Sequence, residues 1–250
     1  MARTPGFGVD VGGSGIKACT VDLRTGSLDD ERVRIPTPQP ATPVAVAELV
    51  AAITREFGWH GPMGITLPCV LKNGIALTAA HVDPSWKGIN ANSLFSEHCQ
   101  LPVAVLNDAD AAGLAEMRFG VGRDHDGVVL LLTFGTGIGS ALFVDGELVP
   151  NTELGHLQID GADAEIRAAA AARDDEGLSW ADWAGRVSRY LQVLESLIWP
   201  DLIIAGGGVS KKADKWLSLI ECRTPVLAAA LRNDAGIVGA AAAAAEGRVR

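Results

Sequence analysis

The sequence predicts an α/β fold of two domains with a central cleft between them. Short apolar runs alternate with helical stretches along the chain, which is the pattern of α/β proteins. A glycine-rich turn between two strand-like segments occurs near residue 12 and again near residue 136, which suggests two related halves. We therefore predict domains over residues 1–110 and 111–234, with the last helix (235–247) crossing back to the first domain.

In the first domain, apolar segments predict a series of strands and one amphipathic helix. Thr42 is placed to cap that helix, and Pro43 stands at its first position. The sequence Lys72-Asn73-Gly74 is typical of a hairpin turn. The predicted strands are Phe7–Val11, Ile16–Leu23, Glu31–Ile35, Met63–Leu67 and Val103–Leu106.

The second domain is entered through a predicted helix at Ala109–Phe119. The second glycine turn lies between the predicted strands Val128–Thr133 and Ser140–Val144, and Asp145-Gly146 begins a further hairpin. A long helix, a buried strand and an Ala-rich helix follow, and they are predicted at Trp180–Trp199, Leu202–Ala205 and Ala235–Ala245.

Composition excludes several classes of protein. The 250 residues carry 21 basic and 30 acidic side chains, a formal charge of −9, which argues against general binding to nucleic acid or to an anionic membrane. The uncharged run from Gly127 to Val144 is cut by glycines into two strands, so no membrane span is expected. The four cysteines are scattered and form no CxxC pair, which argues against a zinc site or a disulfide framework and favours the cytoplasm.

The first glycine turn has the residues of a phosphate site. Glycines let the backbone approach a phosphate closely, and their N–H groups form an anion-binding concavity. The acid before the turn is placed to hold Mg²⁺ through water, and the lysine after it can neutralise a phosphate. A plain glycine hairpin with a turn acid is the alternative. The predicted donor-binding residues are Asp10, Gly12, Gly13, Ser14, Gly15 and Lys17.

An acidic segment, Asn107-Asp108-Ala109-Asp110, follows a predicted strand of four apolar residues. Acids at the carboxyl end of a strand face the crevice where open α/β sheets bind ligands. Asp108 is therefore a candidate general base, which accepts a proton from a substrate hydroxyl as that hydroxyl attacks phosphorus. The alternative is that Asp108 caps the next helix.

Two later glycine segments extend the predicted phosphate site. The turn near residue 136 offers a second cradle, with the Thr136 hydroxyl as an extra donor, or else it is a tight turn selected for packing. The triple glycine after the last buried strand is followed by lysines, and on its own it is better explained as a strand-to-helix turn. The residues concerned are Gly135, Thr136, Gly137, Gly207, Gly208 and Lys211.

An acid and an imidazole suited to a polyol lie close together in Glu153-Leu154-Gly155-His156. Each sugar hydroxyl needs both a donor and an acceptor, which this pair can supply. A structural histidine is the alternative. Glu165 opens an Ala-rich helix, where a simple helix-start charge explains it equally well.

In this order, the glycine and acidic segments resemble the phosphate, connecting and adenosine motifs of the actin-like sugar-kinase superfamily. More narrowly, Leu106–Ala112 and Glu153–His156 are similar to motifs of the ROK family of bacterial sugar kinases. The similarity runs from about residue 6 to about residue 245. It implies the actin-like ATPase (ribonuclease H-like) fold and transfer of a phosphoryl group to a sugar.

Most members of that family continue after this histidine with a CxCGxxGC zinc cluster, whereas residues 157–165 contain no cysteine, so no zinc is implied. That replacement and the proline-rich connector at residues 37–43 resemble the family's actinobacterial polyphosphate glucokinases. The resemblance implies that polyphosphate, and in many members ATP, phosphorylates glucose at O6, and that some members accept mannose. It also implies Mg²⁺ as cofactor and a homodimer as the assembly.

The resemblance assigns roles to single residues. Asp108 is the implied general base for O6, and Asp10 the implied ligand of Mg²⁺ through water. The residues implied to hold the sugar hydroxyls are Asn107, Glu153, His156 and Glu165, and those implied on the phosphates are Gly13, Gly15, Thr136 and Gly137. One departure is Cys69, which stands where such kinases usually have glycine, so its Cβ is expected beside the sugar pocket.

Two other functions stay open on the sequence. One is a strictly ATP-dependent hexokinase of the same family. The other is a catalytically idle or regulatory sugar-binding protein, although regulators of this kind carry an N-terminal DNA-binding domain, for which a first strand at residue 7 is expected to leave no room. Asp108 argues against an idle module, and a phosphorylation assay with each donor distinguishes the three.

Overall fold

The computed structural model describes residues 4–247, and its regular elements follow the predicted alternation of strands and helices. The strands are β1 (Pro5–Val11), β2 (Ile16–Asp22), β3 (Ser27–Leu28), β4 (Val33–Ile35), β5 (Met63–Leu67), β6 (Leu71–Lys72), β7 (Ile75–Ala76), β8 (Val103–Asn107), β9 (Val128–Phe134), β10 (Ile138–Val144), β11 (Glu147–Val149), β12 (Gln158–Ile159), β13 (Ala162–Asp163), β14 (Leu202–Gly206) and β15 (Val226–Ala228). The α-helices are α1 (Pro43–Glu56), α2 (Ala91–Cys99), α3 (Asp108–Phe119), α4 (Ala164–Ala168), α5 (Ala170–Asp175), α6 (Trp180–Ile198) and α7 (Ala235–Ala245). Short 3₁₀ helices lie at Pro84–Trp86, Leu154–His156, Gly208–Lys215, Leu217–Leu219 and Arg232–Asp234.

Contacts divide the chain into two units. Unit 1 contains the residues up to Ala115 together with the segment from Asp234 onward, and unit 2 spans Glu116–Asn233. The last helix, α7, therefore belongs to unit 1, although unit 2 precedes it in the sequence.

Each unit has a central sheet, and the two sheets share one strand order. The sheet of unit 1 runs β3-β2-β1-β5-β8, with β4 also paired to β2, and the sheet of unit 2 runs β11-β10-β9-β14-β15. In both, the strands that come first in the unit pair antiparallel, namely β1–β4 and β9–β11. The last two strands of each sheet, β5 and β8 or β14 and β15, are added in parallel. The predicted α/β fold with a repeated strand–turn–strand is confirmed.

Helix α7 packs on the first sheet with backbone against backbone. A Cβ built at Gly8 of β1 would lie 1.9 Å from the carbonyl oxygen of Ile237, and one at Gly64 of β5 would lie 1.8 Å from that of Ala240. Such distances admit only glycine on the strands, and the helix facing them is rich in alanine. The Ala-rich end of the sequence is therefore explained by close packing rather than by helix propensity alone.

Unit 2 has a core of large side chains instead. Helix α6 buries Trp183, Leu191 and Leu194, which join the apolar side chains of β9 and β14 in one cluster. The Phe134 and Trp216 rings meet Trp183 edge to face, with centroids 5.8 Å and 4.9 Å away. Edge-to-face contacts between aromatic rings are favourable. These contacts anchor Phe134 at the end of β9, where the second glycine turn begins.

Turn and cap predictions are confirmed. Asn73 and Gly74 both have positive φ between β6 and β7, and Asp145 and Gly146 do so between β10 and β11, as hairpin turns of this composition require. The Thr42 side chain accepts a hydrogen bond from the Ala45 N–H at the start of α1. No helix within residues 4–247 is long and apolar enough to cross a bilayer.

Some predicted boundaries were wrong by a few residues. The strand expected over Glu31–Ile35 contains only Val33–Ile35, because pairing with β2 begins at residue 33. β8 extends to Asn107, and α3 begins at Asp108 rather than at Ala109, so the strand passes into the helix with no loop between them. Helix α2 was not predicted, since it is short and five of its nine residues are polar.

Candidate functional site

The first glycine turn joins β1 to β2 and leaves backbone donors unused. The Gly12 N–H donates to the Gly15 carbonyl at 3.1 Å, which closes the turn. The N–H groups of Gly13, Ser14 and Gly15 donate no hydrogen bond within residues 4–247. Backbone N–H groups gathered in this way bind anions well.

Asp10, the last residue but one of β1, is held from two sides. Its Oδ2 accepts a hydrogen bond from Lys17 Nζ at 2.7 Å, and its Oδ1 accepts one from Thr66 Oγ1 at 2.9 Å. A Cβ at Gly236, in the first turn of α7, would lie 3.0 Å from the Asp10 carboxyl carbon. Lys17, predicted to neutralise a phosphate, is thus ion-paired to the acid before the turn.

Neighbours crowd the first turn and explain its glycines. A Cβ at Gly13 would lie 2.7 Å from the carbonyl oxygen of His81, a residue whose own φ is 60°. A Cβ at Gly15 would lie 3.0 Å from the Arg34 Nε. Arg34 and His81 are both exposed. Arg34 brings guanidinium donors to this turn, whereas His81 approaches it with its backbone carbonyl, and the sequence analysis identified neither residue.

The passage from β8 to α3 contains a residue that caps the helix, followed directly by an acid. Asn107 Oδ1 accepts hydrogen bonds from the N–H groups of Ala109 and Asp110 at 2.8 and 3.1 Å, so Asn107 is the principal cap of α3. Asn107 Nδ2 donates to the Cys69 carbonyl at 3.2 Å. Asp108 is the first residue of α3 and is exposed, and its Oδ1 also accepts from the Ala109 N–H at 2.9 Å.

Cys69 lies beside this passage, since its carbonyl accepts the Asn107 hydrogen bond. The residue is 1% exposed. Its N–H donates to the Leu67 carbonyl at 2.8 Å, which turns the chain sharply after β5. The backbone carbonyl of Cys69 therefore helps to orient the Asn107 side chain.

The second glycine turn, between β9 and β10, is more open than the first. A Cβ at Gly135 would meet no described atom within 4 Å, whereas one at Gly137 would lie 2.4 Å from Glu165 Oε2. The N–H groups of Thr136 and Gly137 donate no hydrogen bond in the described part of the chain. The Ile138 N–H donates to Glu165 Oε2 at 3.1 Å, so this acid binds the turn as well as opening α4.

Three acidic side chains surround His156 in unit 2. The His156 Nδ1 lies 3.1 Å from Asp163 Oδ2 and 3.6 Å from Glu165 Oε1, and its Nε2 lies 3.9 Å from Glu153 Oε2. The predicted group of Glu153, His156 and Glu165 is thus brought together. Asp163, which sequence reasoning missed, is the nearest of the three acids to the imidazole.

The same cluster has the composition of a metal site. Ligand atoms of His156, Asp163 and Glu165 all lie within 4.8 Å of one another. Asp163 also accepts a hydrogen bond from the Gln158 side chain. A carboxylate on Nδ1 fixes which imidazole nitrogen faces outward, and this is a hydrogen-bond role that Asp163 fills without a metal.

Burial raises the pKa of Glu153, and the neighbouring Glu165 raises it further, while His156 acts in the opposite direction. The side chain of Glu153 is still 40% exposed, so solvent reaches part of it. Glu153 therefore gains a proton at a higher pH than an ordinary glutamate does.

A cavity of about 330 Å³ adjoins the second turn within unit 2. It is lined by Phe134, Gly135, Thr136, Ala170, Ala171, Arg173, Asp174, Trp180, Gly208, Val209 and Lys212. Gly207 next to it has φ of 79°, and a Cβ there would lie 2.5 Å from the Phe134 carbonyl oxygen. Packing therefore accounts for Gly207, and Lys212, rather than the predicted Lys211, is the lysine that lines the cavity.

Two sheets with this strand order, each opened by a strand, a glycine turn and a strand, define the actin-like ATPase fold. A model described as the ROK family matches residues 6–170, and the chain belongs to the ROK family. The family expected from the sequence motifs is thereby confirmed.

Individual relatives are similar over nearly the whole chain. The polyphosphate glucokinase of Mycobacterium tuberculosis is 56% identical over 239 residues, which cover 95% of this chain and 90% of the relative. The crystal structure of an inorganic polyphosphate/ATP-glucomannokinase from Arthrobacter sp. strain KM has a TM-score of 0.93 at 49% identity, covering 98% of this chain and 99% of that one. A ROK family glucokinase from Streptomyces griseus, solved with glucose and AMPPNP, has a TM-score of 0.82 at 25% identity, covering 97% and 100%.

Proposed function

We propose that this protein is a polyphosphate glucokinase, which transfers a phosphoryl group from inorganic polyphosphate, and also from ATP, to O6 of glucose, and accepts mannose as a second sugar. The observation that carries this proposal is the 56% identity to a polyphosphate glucokinase over 95% of the chain. The similarity of the fold to a polyphosphate/ATP-glucomannokinase at 49% identity supports the choice of donors and of sugars.

In unit 1, the proposed general base is Asp108. Asn107 caps α3, which leaves Asp108 exposed at the point where β8 passes into the helix. Asp108 accepts the O6 proton as the sugar oxygen attacks the terminal phosphorus. Asn107 Nδ2 donates one hydrogen bond to the Cys69 carbonyl and keeps a second N–H for a sugar hydroxyl.

Mg²⁺ is the proposed cofactor, and Asp10 the residue that would hold it. Both Asp10 oxygens accept one hydrogen bond each, from Lys17 and from Thr66, and a carboxylate has lone pairs left for metal-bound water. Mg²⁺ prefers oxygen ligands and retains several waters, which fits a single acid acting through water. When bound, the ion would neutralise charge on the phosphates.

The donor phosphates are proposed to bind at the two glycine turns. The unused N–H groups of Gly13, Ser14 and Gly15 serve in unit 1, and those of Thr136 and Gly137 serve in unit 2. Such preorganised donors stabilise charge that develops on the transferred group. The further proposed donor residues are Gly12, Lys17, Gly135, Gly207, Gly208 and Lys211.

In unit 2, Glu153, His156 and Glu165 are proposed to hold the sugar hydroxyls. Asp163 Oδ2 accepts a hydrogen bond from Nδ1 of His156 in the tautomer that carries its proton there, and so leaves Nε2 for the sugar. Glu165 is tied to the second glycine turn through the Ile138 N–H. The same acid therefore links the sugar site to a donor-binding turn.

The proposal is tested with purified protein, glucose and Mg²⁺. Formation of glucose 6-phosphate is measured with long-chain polyphosphate as donor and, separately, with ATP. Product with both donors is expected. Product with ATP alone would replace the proposal by an ATP-dependent hexokinase, and no product with either would replace it by a sugar-binding protein without kinase activity.

We further propose a cytoplasmic homodimer in which the two units correspond to the two domains of the sequence analysis. Free thiols at all four cysteines are compatible with a reducing compartment. Light scattering at several protein concentrations tests the dimer, and a monomeric mass at each of them would refute it.

A further inference from the structure

The cavity beside the second glycine turn has a positively charged lining. Arg173 of α5 and Lys212 of the 3₁₀ helix at Gly208–Lys215 contribute two cations, and Asp174 contributes one carboxylate, which leaves a net charge of +1. The remaining lining residues are uncharged. This lining favours an anion over a neutral ligand.

Arg173 is fixed by its neighbours yet has an unused donor. Its guanidinium carbon lies 3.7 Å from the centre of the Trp180 ring, and its Nη1 donates to Asp174 Oδ1 at 2.7 Å. Its Nε is buried and has no hydrogen-bond partner among the residues that the structure describes. A buried donor without an acceptor is unfavourable, so a movement of the guanidinium that brings Nε to an anionic oxygen in the cavity would relieve it.

Lys212 approaches the same aromatic ring. Its Nζ lies 5.9 Å from the Trp180 ring centre. An aromatic base stacking on the Trp180 face that Arg173 covers would have to displace the guanidinium. The cavity therefore offers a ligand the charges of Arg173 and Lys212 rather than an uncovered Trp180 ring.

The cavity is continuous with the second glycine turn. Gly135 and Thr136 line both. The Ala171 N–H donates to the Gly135 carbonyl at 3.0 Å, which fixes α5, and with it Arg173, against the turn. Unused backbone donors and side-chain cations thus border a single space.

We propose that this cavity binds the phosphate units of polyphosphate that lie beyond the transferred group, with Arg173 as the main anchor and Lys212 as a second. The inference rests on the proposed function for its substrate. Polyphosphate is a linear polyanion, so successive units can meet the turn and then the cations. The planar fork of an arginine suits bidentate contact with phosphate oxygens, which explains why residue 173 is the main anchor.

The test measures binding and kinetics separately. Long-chain polyphosphate, tripolyphosphate and ATP are titrated, without glucose, into the wild type and into Arg173→Gln, Arg173→Lys and Lys212→Gln, with tryptophan fluorescence as the signal. The KM for each donor is then measured with glucose. We expect Arg173→Gln to weaken binding of long-chain polyphosphate by about 10- to 100-fold, Lys212→Gln to weaken it by about 3-fold, and Arg173→Lys to fall between the wild type and Arg173→Gln.

Lys215→Gln is the matched control, because Lys215 ends the same 3₁₀ helix, is exposed and does not line the cavity. Losses are expected to be smaller for tripolyphosphate and for ATP than for the long chain. Equal losses for ATP and long-chain polyphosphate would overturn the inference in favour of a nucleotide site. Effects no larger than those of Lys215→Gln would also overturn it.

The two proposals fail in different ways. If the wild type forms no glucose 6-phosphate with any donor, the proposed function is wrong, while the fluorescence titrations still decide what the cavity binds. Circular dichroism checks the fold of each variant. Lys212→Gln changes an exposed side chain. If Arg173→Gln fails to fold, the polyphosphate binding of Lys212→Gln decides whether the cavity binds this donor.

Discussion

The two sheets follow one strand order but carry different side chains at matching positions. Asp10 on β1 lies opposite Lys17 of β2, whereas Thr133, at the matching place on β9, lies opposite Gly139 of β10. A cross-strand ion pair in the first sheet is thus replaced by an uncharged pair in the second.

The fifth strands differ in the same sense. β8 ends in Asn107 and passes directly into Asp108, whereas β15 ends in Ala228 and is followed by Ala229. The acids of unit 1, Asp10 and Asp108, therefore lie on a strand of its sheet or directly after one. The acids of unit 2, Glu153, Asp163 and Glu165, lie outside its five-stranded sheet. A shared topology leaves the chemistry to the residues placed at the strand ends.

The largest expected effect comes from the acid after β8. Asp108→Asn should lower kcat by about 10²–10⁴-fold, because a general base contributes that much, while the melting temperature changes little at this exposed position. Glu97→Gln, an exposed acid on α2 of the same unit, is the control and should keep full activity. Wild-type turnover in Asp108→Asn would remove Asp108 from the mechanism.

The next effect tests the difference between Asp10 and Thr133 directly. Asp10→Asn should lower activity by about 10- to 100-fold, as loss of an indirect metal ligand does, and should raise the Mg²⁺ concentration needed for half-maximal rate. Thr133→Val, at the matching place in the second sheet, should leave the Mg²⁺ dependence unchanged. Equal Mg²⁺ responses in the two variants would contradict the assignment of the metal to unit 1.

Substitution of one glycine in each turn should separate packing from ligand binding. Gly13→Ala places a Cβ against the His81 carbonyl and should lower the free energy of unfolding by about 1–3 kcal/mol. Gly135→Ala meets no described atom within 4 Å and should leave thermal stability unchanged while raising the KM for the phosphate donor. Equal melting temperatures for the two variants would show that the turns are packed alike.

The smallest expected effect is a pH dependence in the acids of unit 2. Because the pKa of Glu153 is raised by burial, its carboxylate is protonated above the ordinary glutamate value of about 4.3 as pH falls. A sugar hydroxyl then loses its acceptor, so the KM for glucose should rise by about 5-fold on the acid side. Glu153→Gln should have the raised KM throughout. An acid limb that persists in this variant would belong to another group.

Much of the fold could be predicted because its signals are local. Apolar runs predicted the strands on both sides of each turn, and Asp108 could be placed because it lies two residues after such a run. Helix α2 was missed because it is short and five of its nine residues are polar, although Phe95 and Ala91 are fully buried. Tertiary packing decides that helix more than its own sequence does.

The parts of the site that escaped prediction depend on contacts between distant residues. Asp163 lies in a two-residue strand, and Arg173 in a six-residue helix, so neither has a periodic pattern around it. Their importance appears only when the chain brings them to His156 and Trp180. Similarly, Glu165 binds the second glycine turn through the N–H of Ile138, 27 residues earlier, which no local pattern indicates.

The packing of α7 on β1 and β5 has a consequence for synthesis of the chain. The ribosome releases residues 116–233 before it releases α7, so unit 2 can fold while unit 1 still lacks its last helix. Until then, the glycines of the first sheet that pack against the backbone of Ile237 and Ala240 stay uncovered. The packing on the sheet that bears Asp10 and leads into Asp108 is therefore completed last, although the strands of that sheet precede unit 2 in the sequence.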